Sequence, residues 1–484
     1  MVGGLDTWGS LILGLSTLGV SHCLANVETL FDIKIDHFSK LDARPSMAEA
    51  TKPQKVFSGQ TLAQKLLARA SGRDDVAPGD IVIIQVDLAM AHDSSGPRRW
   101  KPHLDALGAT LWDPSRVVIV SDHYVPAVDT ESAAILKLTR TFAKEQNVGH
   151  FFDMEGICHA ILPQKGLLRP GIFVAGGDSH TPHAGAFGCY AAGFGATDML
   201  GIVVTGQTWT LVPETIRVEL TGSFGRHVSA KDVMLLLCRE LGMDNAFKAI
   251  EYGGPGVTAM SMAERMVLSN MAAELGGEVG LIAADRVTLD HIRAHGGEAS
   301  EADLAWQPDP DATYERILTI NLSDLEPQIA APHSPANSFP IGHAAGVPID
   351  QAYIGACVGA KLEDLHMAAQ ILKGQRIAEG VRLLVAPASS QVTADAAADG
   401  TLSILLAAGA TLLPSGCGAC AGMGAGLLAA GETCISTTNR NFKGRMGHSE
   451  ALVYLGSPYT VAASAIAGCV SDPRVHAADL AGAA

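Results

Sequence analysis

The segment "GIFVAGGDSHTPHAG", Gly171 to Gly185, runs from an apolar stretch through a glycine pair into a polar cluster, Asp178–Ser179–His180. The same order recurs along the chain. "GDIVIIQVDLAMAHDSSG" reads as a strand from Ile81 leading to His92–Asp93, and "RVVIVSDHYVPA" as a strand ending at Asp122–His123. "QAYIGACVGAKLEDL" leads to Cys357, "VRLLVAPAS" is a further strand, and "ATLLPSGCGAC" leads to Cys417. Helix-period segments lie between them: "TLAQKLLARA", "ESAAILKLTRTFAKEQ", "KDVMLLLCREL", "LEDLHMAAQILKG" and "GTLSILLAAGA". Strands alternating with helices predict an α/β fold with mainly parallel sheets. Ligands of such sheets bind beyond the carboxyl ends of the strands, and the polar clusters fall at those ends.

Three α/β/α-type domains are expected, over residues 59–212, 213–312 and 313–484, the last carrying the cysteine pair. Residues Glu301 to Ile317, acidic and proline-bearing, read as a linker. Residues 1–58 read as an N-terminal extension. Met47 opens a stretch that looks like a natural start, so residues 1–46 are expected to have little structural role. The apolar run Trp8 to Val20 is short for a bilayer and follows Asp6 rather than a basic region, so it is read as neither an anchor nor a targeting segment.

A formal charge of −16 repels nucleic acid and anionic membrane. An anionic substrate then needs a local basic pocket. Aromatic content of 5% beside 52 glycines suits glycine loops better than an aromatic-lined groove. Nine scattered cysteines argue against a secreted disulfide framework and for a reducing compartment, the cytoplasm.

"PSGCGACAGMGAG", Pro414 to Gly426, holds Cys417 and Cys420 in Cys-x-x-Cys spacing. Haem attachment needs a histidine after the second cysteine, and Ala421 stands there. Structural zinc needs four closed ligands, and no second pair is present. A three-cysteine cubane cluster with Cys357 remains, alongside a zinc or redox site on the pair alone. Cys158, Cys189, Cys238, Cys434 and Cys469 read as small core residues. Asp178–Ser179–His180, with His183 nearby, reads as a site rather than a helix cap. A nucleophilic Ser179 lacks the Gly-x-Ser-x-Gly elbow. Asp122 beside His123, and Glu155 four residues before His159, predict carboxylate–imidazole pairs suited to general acid work. Arg440, Lys443 and Arg445, in "STTNRNFKGRMG", read as a carboxylate clamp, since arginine grips carboxylates through a bidentate fork.

Taken together and in this order, "GGDSHTPHAGAFG", "GCGACAGMGAG" and "STTNRNFKGRMG" resemble the aconitase superfamily, over about Gly59 to Pro473. The resemblance implies a [4Fe–4S] cluster on Cys357, Cys417 and Cys420 with one open iron. It implies reversible dehydration and rehydration of a hydroxy dicarboxylic acid. The leading substrate is 3-isopropylmalate; homoaconitate, citramalate and 2,3-dimethylmalate are the near alternatives. Asp122, His123, His159, Asp178, His180 and Glu251 match catalytic positions. Ser179, Asn439, Arg440 and Arg445 match substrate-side positions, with His92–Asp93 a looser match. Ala356–Lys361 departs from the family's usual Ser-Cys-Thr-Asn-Gly-Arg, which marks a divergent paralogue. Single-chain relatives continue into a swivelling domain, so a separate small subunit is expected to close the site and supply the base. An iron-responsive binding protein on the same fold is the alternative from another class, and the negative charge speaks against it.

Overall fold

The computed structural model describes residues 59–475; the readings made for residues 1–58 lie outside them. Three large sheets follow one another along the chain, and nearly all their pairings are parallel. The first has five strands in the spatial order His150–Asp153, Val117–Ser121, Leu88–His92, Phe173–Gly176, Tyr190–Gly193, all parallel. Chain order reverses between Leu88–His92 and Phe173–Gly176, which makes their carboxyl ends a switch point. The second sheet has four parallel strands, Val279–Ile282, Lys248–Gly253, Glu214–Thr221 and Arg316–Asn321. Its last strand follows residue 312, so this sheet runs past the expected boundary.

The third sheet has seven strands. Its parallel part reads Leu452–Leu455, Thr433–Ser436, Gln351–Ile354, Arg382–Val385, Thr411–Leu412, with two short antiparallel strands at one edge. Here order reverses between Gln351–Ile354 and Thr433–Ser436, a second switch point.

The expected helices form where their apolar period runs. Thr61 starts Leu62–Ser71 with a capping box to Gln64, and Gly72 ends it in the left-handed region. The other expected helices appear as Thr130–Glu145, Ala230–Glu240, Leu362–Leu372 and Thr401–Ala408.

Two expectations fail. The run from Ile81 to His92 is not one strand. Ile81–Gln85 alternates exposed and buried and pairs antiparallel with Gln207–Leu211 outside the large sheets. Leu88–His92 is buried throughout, as a central parallel strand must be. Asp87, at the break, accepts from Phe173 N at 2.8 Å and pairs with Arg69. Nor is 301–317 a loose linker. Asp309 accepts from Gln60 N at 2.7 Å, and Gln307 donates to Ala284 O at 2.7 Å. Among the described residues no helix is long and apolar enough to cross a membrane.

Candidate active site

The two switch points supply one cavity of about 390 Å³, whose walls include His92, His123, His159, His180, Cys357, Cys417, Cys420 and Arg445. Backbone contact joins its two halves: Cys417 N donates to Asp122 O at 2.8 Å. Position 416 must be glycine for this approach, since a Cβ there would stand 2.8 Å from the same oxygen.

The first sheet contributes imidazoles, each held against a carboxylate. His123 Nδ1 lies 2.6 Å from Asp122 Oδ1, and His159 Nε2 lies 2.6 Å from Asp178 Oδ2. His180 Nε2 lies 3.0 Å from Glu274 Oε1. Burial works against a charged His123, yet Asp122, Asp93 and Asp178 outweigh it and its pKa rises. Burial likewise works against ionised Asp178 and Glu274. His159 outweighs it for Asp178, and His180 with Arg440 for Glu274, so both carboxyls stay below their ordinary range. His92 differs. Burial and the neighbouring His123, its ring stacked at 3.8 Å, lower its pKa to about 3, so it is a neutral ring beside Ser94 and Ser95.

Three sequence assignments need correcting. Asp93 is fully buried behind the wall and accepts from His123 N and Tyr124 N, at 3.1 and 2.9 Å; it shapes the loop rather than facing the cavity. Glu155 pairs with Lys165 at 2.6 Å, and His159 finds its carboxylate in Asp178 instead. Glu251 stands apart from the cavity. It accepts from Leu62 N at 3.0 Å, Arg217 Nη1 at 2.7 Å and Tyr314 Oη at 2.9 Å. It ties the first described helix to the second sheet. The carboxylate of the second stretch that does reach the site is Glu274, which sequence reasoning missed. Both glutamates open the same Glu-x-Gly-Gly pattern, "EYGG" and "ELGG".

The third sheet contributes sulfur and cations. Cys357 follows Gln351–Ile354, while Asn439 and Arg440 follow Thr433–Ser436. Arg440 Nε donates to Glu274 Oε1 at 2.7 Å and Nη1 to Ser179 Oγ at 3.0 Å, which clasps the two halves together. Asn270, also missed, donates to Cys357 Sγ at 3.2 Å, and its Oδ1 accepts from Asn439 Nδ2 at 2.5 Å. Asn270 ends the helix Met262–Asn270 and Glu274 follows the short turn Met271–Ala273, and this pair of polar residues closing an apolar helical run is the signal that could have found them. Amide partners absent from the altered 356–361 stretch thus come from Asn270 and Asn439. Val358 and Ala360 are buried in the core. Gly359 is fixed by Thr437, whose Oγ1 would lie 2.3 Å from an added Cβ.

The donor set fits an iron–sulfur cluster. Burial, then Cys420, pushes the Cys357 thiol up to about 12, and burial, then Asp122, pushes the Cys417 thiol well above its ordinary range. Free thiolates are therefore disfavoured, whereas thiolates bound to a metal centre are not. Tyr353 Oη and Arg445 Nε are buried beside this wall without a hydrogen-bond partner among the described residues. Gly418, φ +44°, leaves open space in which Tyr353 Oη is the nearest atom to an added Cβ, at 3.8 Å.

The aconitase family (aconitate hydratase) matches residues 63–348 and 342–468. The large subunit 1 of 3-isopropylmalate dehydratase from Methanopyrus kandleri is 48% identical, over 86% of this chain and 100% of that protein. That of Nitratidesulfovibrio vulgaris is 44% identical over 85% and 99%. A probable methanogen homoaconitase large subunit from Methanothermobacter thermautotrophicus is 42% identical over 86% and 98%. A solved structure of aconitase X from Thermococcus kodakaraensis aligns over 76% of this chain and 89% of its own, at 15% identity and a TM-score of 0.43, too distant to argue from. Enzymes of the aconitase family carry [4Fe–4S] clusters. On the matched span and these identities, the chain belongs to the aconitase family.

Proposed function

We propose that this chain is the large subunit of an iron–sulfur hydro-lyase that interconverts 3-isopropylmalate and 2-isopropylmalate through an alkene. The observation that carries this reading is the convergence of three cysteines and three histidine–carboxylate pairs on one cavity. Cys357, Cys417 and Cys420 would hold the cluster, leaving one iron open. When bound, such a cluster supplies a Lewis acid for the leaving hydroxyl.

The chain's own groups do the rest. Each imidazole held by a carboxylate can carry a proton towards the cavity and keep the resulting imidazolium stable. Arg445, which forms no ion pair among the described residues, is free to grip a substrate carboxylate. Arg440, already shared between Glu274 and Ser179, places the Ser179 hydroxyl at the cavity wall. Together the two guanidiniums oppose the negative charge that develops when the α-proton leaves. A separate small subunit closes the site and brings the base, in line with the "large subunit" names of the relatives. A reducing compartment, the cytoplasm, is the proposed location, supported by the nine scattered cysteines. Homoaconitate is the second substrate, on the 42% match to a probable homoaconitase large subunit.

The test is co-expression with a candidate small subunit and an anaerobic assay over substituted malates and maleates. Alkene absorbance should change with 3-isopropylmalate. No change across the panel would refute the hydro-lyase reading.

A further inference from the structure

Lys231 is a buried cation with no place in the proton and carboxylate chemistry above. It lies in the first turn of Ala230–Glu240, 2% exposed. A helix's first turn is the unfavourable end for positive charge, and burying an ammonium away from a paired carboxylate is costly. Among the described residues Lys231 makes no ion pair. Its Nζ donates instead to Thr437 O at 3.2 Å and Thr438 O at 2.7 Å. Those two carbonyls belong to the turn that leads directly into Asn439 and Arg440.

The far side of that turn is tied to the neighbouring switch-point strand. Thr437 N donates to Tyr353 O at 3.0 Å, and Thr437 Oγ1 accepts from Gly355 N at 2.9 Å. Lys231 is therefore a second fastening of the same turn, whose next residue, Asn439, places its Oδ1 3.8 Å from Cys357 Sγ. Burial lowers its pKa to about 8, while Glu274, Cys238, Cys420 and Cys357 pull the other way. The group stays charged at neutral pH and feels two of the cluster cysteines electrostatically. A neutral side chain of the same length would avoid the burial cost, and what the charge provides lies in the site beside it.

We propose that Lys231 is a positioning residue of the cluster site: its ammonium fixes the turn presenting Asn439 and Arg440 and sets a positive charge beside the Cys357 and Cys420 thiolates. This rests on the cluster reading given above. Two neutral variants test it in the full chain with its small subunit. Lys231→Met keeps the length of the stem, and Lys231→Gln keeps a donor for the carbonyls. The readouts are the cluster's midpoint potential, from an anaerobic reductive titration, and KM against kcat. Both variants should show a more negative potential, because adding an electron loses a nearby positive charge. The Met variant should also show a raised KM as Arg440 loses its anchored turn, with Gln restoring part of it. A folded, cluster-bearing variant with the wild-type potential would overturn the role. So would failure of both variants to fold, which would assign Lys231 to the fold alone. Wild-type protein that takes up no iron and sulfide would overturn the cluster reading itself, and this role with it.

Discussion

The two switch points meet in one cavity but are electrically opposite. At the first, each of three imidazoles has a carboxylate within hydrogen-bond reach: His123 with Asp122, His159 with Asp178, His180 with Glu274. At the third sheet Arg440 is paired in this way, with Glu274, and other groups are left wanting. Burial holds Cys357 and Cys417 protonated, and Arg445 Nε and Tyr353 Oη have no hydrogen-bond partner among the described residues. The first region is complete as protein and holds protons. The second has the unpartnered donors and protonated thiols that a bound cluster would use. On the proposed function, a difference of this kind separates residues that would move protons from residues that would hold the cluster.

Substitutions in the two regions should therefore fail differently. The largest effect belongs to the sulfur side. Cys357→Ser should lose both the visible cluster absorbance and activity, to background. Cys434→Ser, in the same sheet but buried among aliphatic side chains, should keep both. Next comes the proton side. Asp178→Asn leaves His159 without its negative partner and should lower kcat by about 10²- to 10⁴-fold while iron content stays unchanged. Loss of iron in that variant would erase the distinction between the regions.

The two glutamates of the second stretch give a smaller, sharper contrast. Glu274→Gln should lower kcat by about a hundredfold, since His180 and Arg440 both lean on it. Glu251→Gln should leave kcat nearly intact. It should instead cost about 1–3 kcal/mol in urea unfolding, by stripping charge from a buried partner of Arg217.

The smallest effect is one of pH. His123 titrates above its ordinary 6.5 in the fold, so its pairing stabilises fully below that value and the gain fades as pH rises through the folded pKa. Asp122→Asn should then destabilise more at pH 6 than at pH 9 in chemical unfolding. Equal penalties at both would remove His123 as a charged group.

The α/β alternation and the strand-end clusters were legible because apolar runs ending in Gly, Asp and His announce themselves locally. Several candidate residues were found that way: His123, His180, Cys357 and Cys417 follow strand ends, with Cys420 in the same loop, whereas His159 and Arg440 were read from a nearby carboxylate and a cluster of cations. Glu274, Asn270 and Lys231 were not. Each sits inside or beside an apolar helical run, where one polar residue looks like any other until the neighbouring sheet is in place. Glu251 came from the resemblance, in a Glu-x-Gly-Gly stretch that Glu274 shares, and only packing shows that it is Glu274 that touches His180 and Arg440. The single strand read from Ile81 to His92 failed differently: Asp87, a lone turn-favouring residue inside an apolar run, marks the break, where it accepts from Phe173 N.

Iron and acid-labile sulfide, measured in anaerobically purified chain, test the account most directly. It predicts about four of each per chain, falling together in Cys417→Ser. Zinc without sulfide, or iron that survives the loss of Cys417, would contradict it.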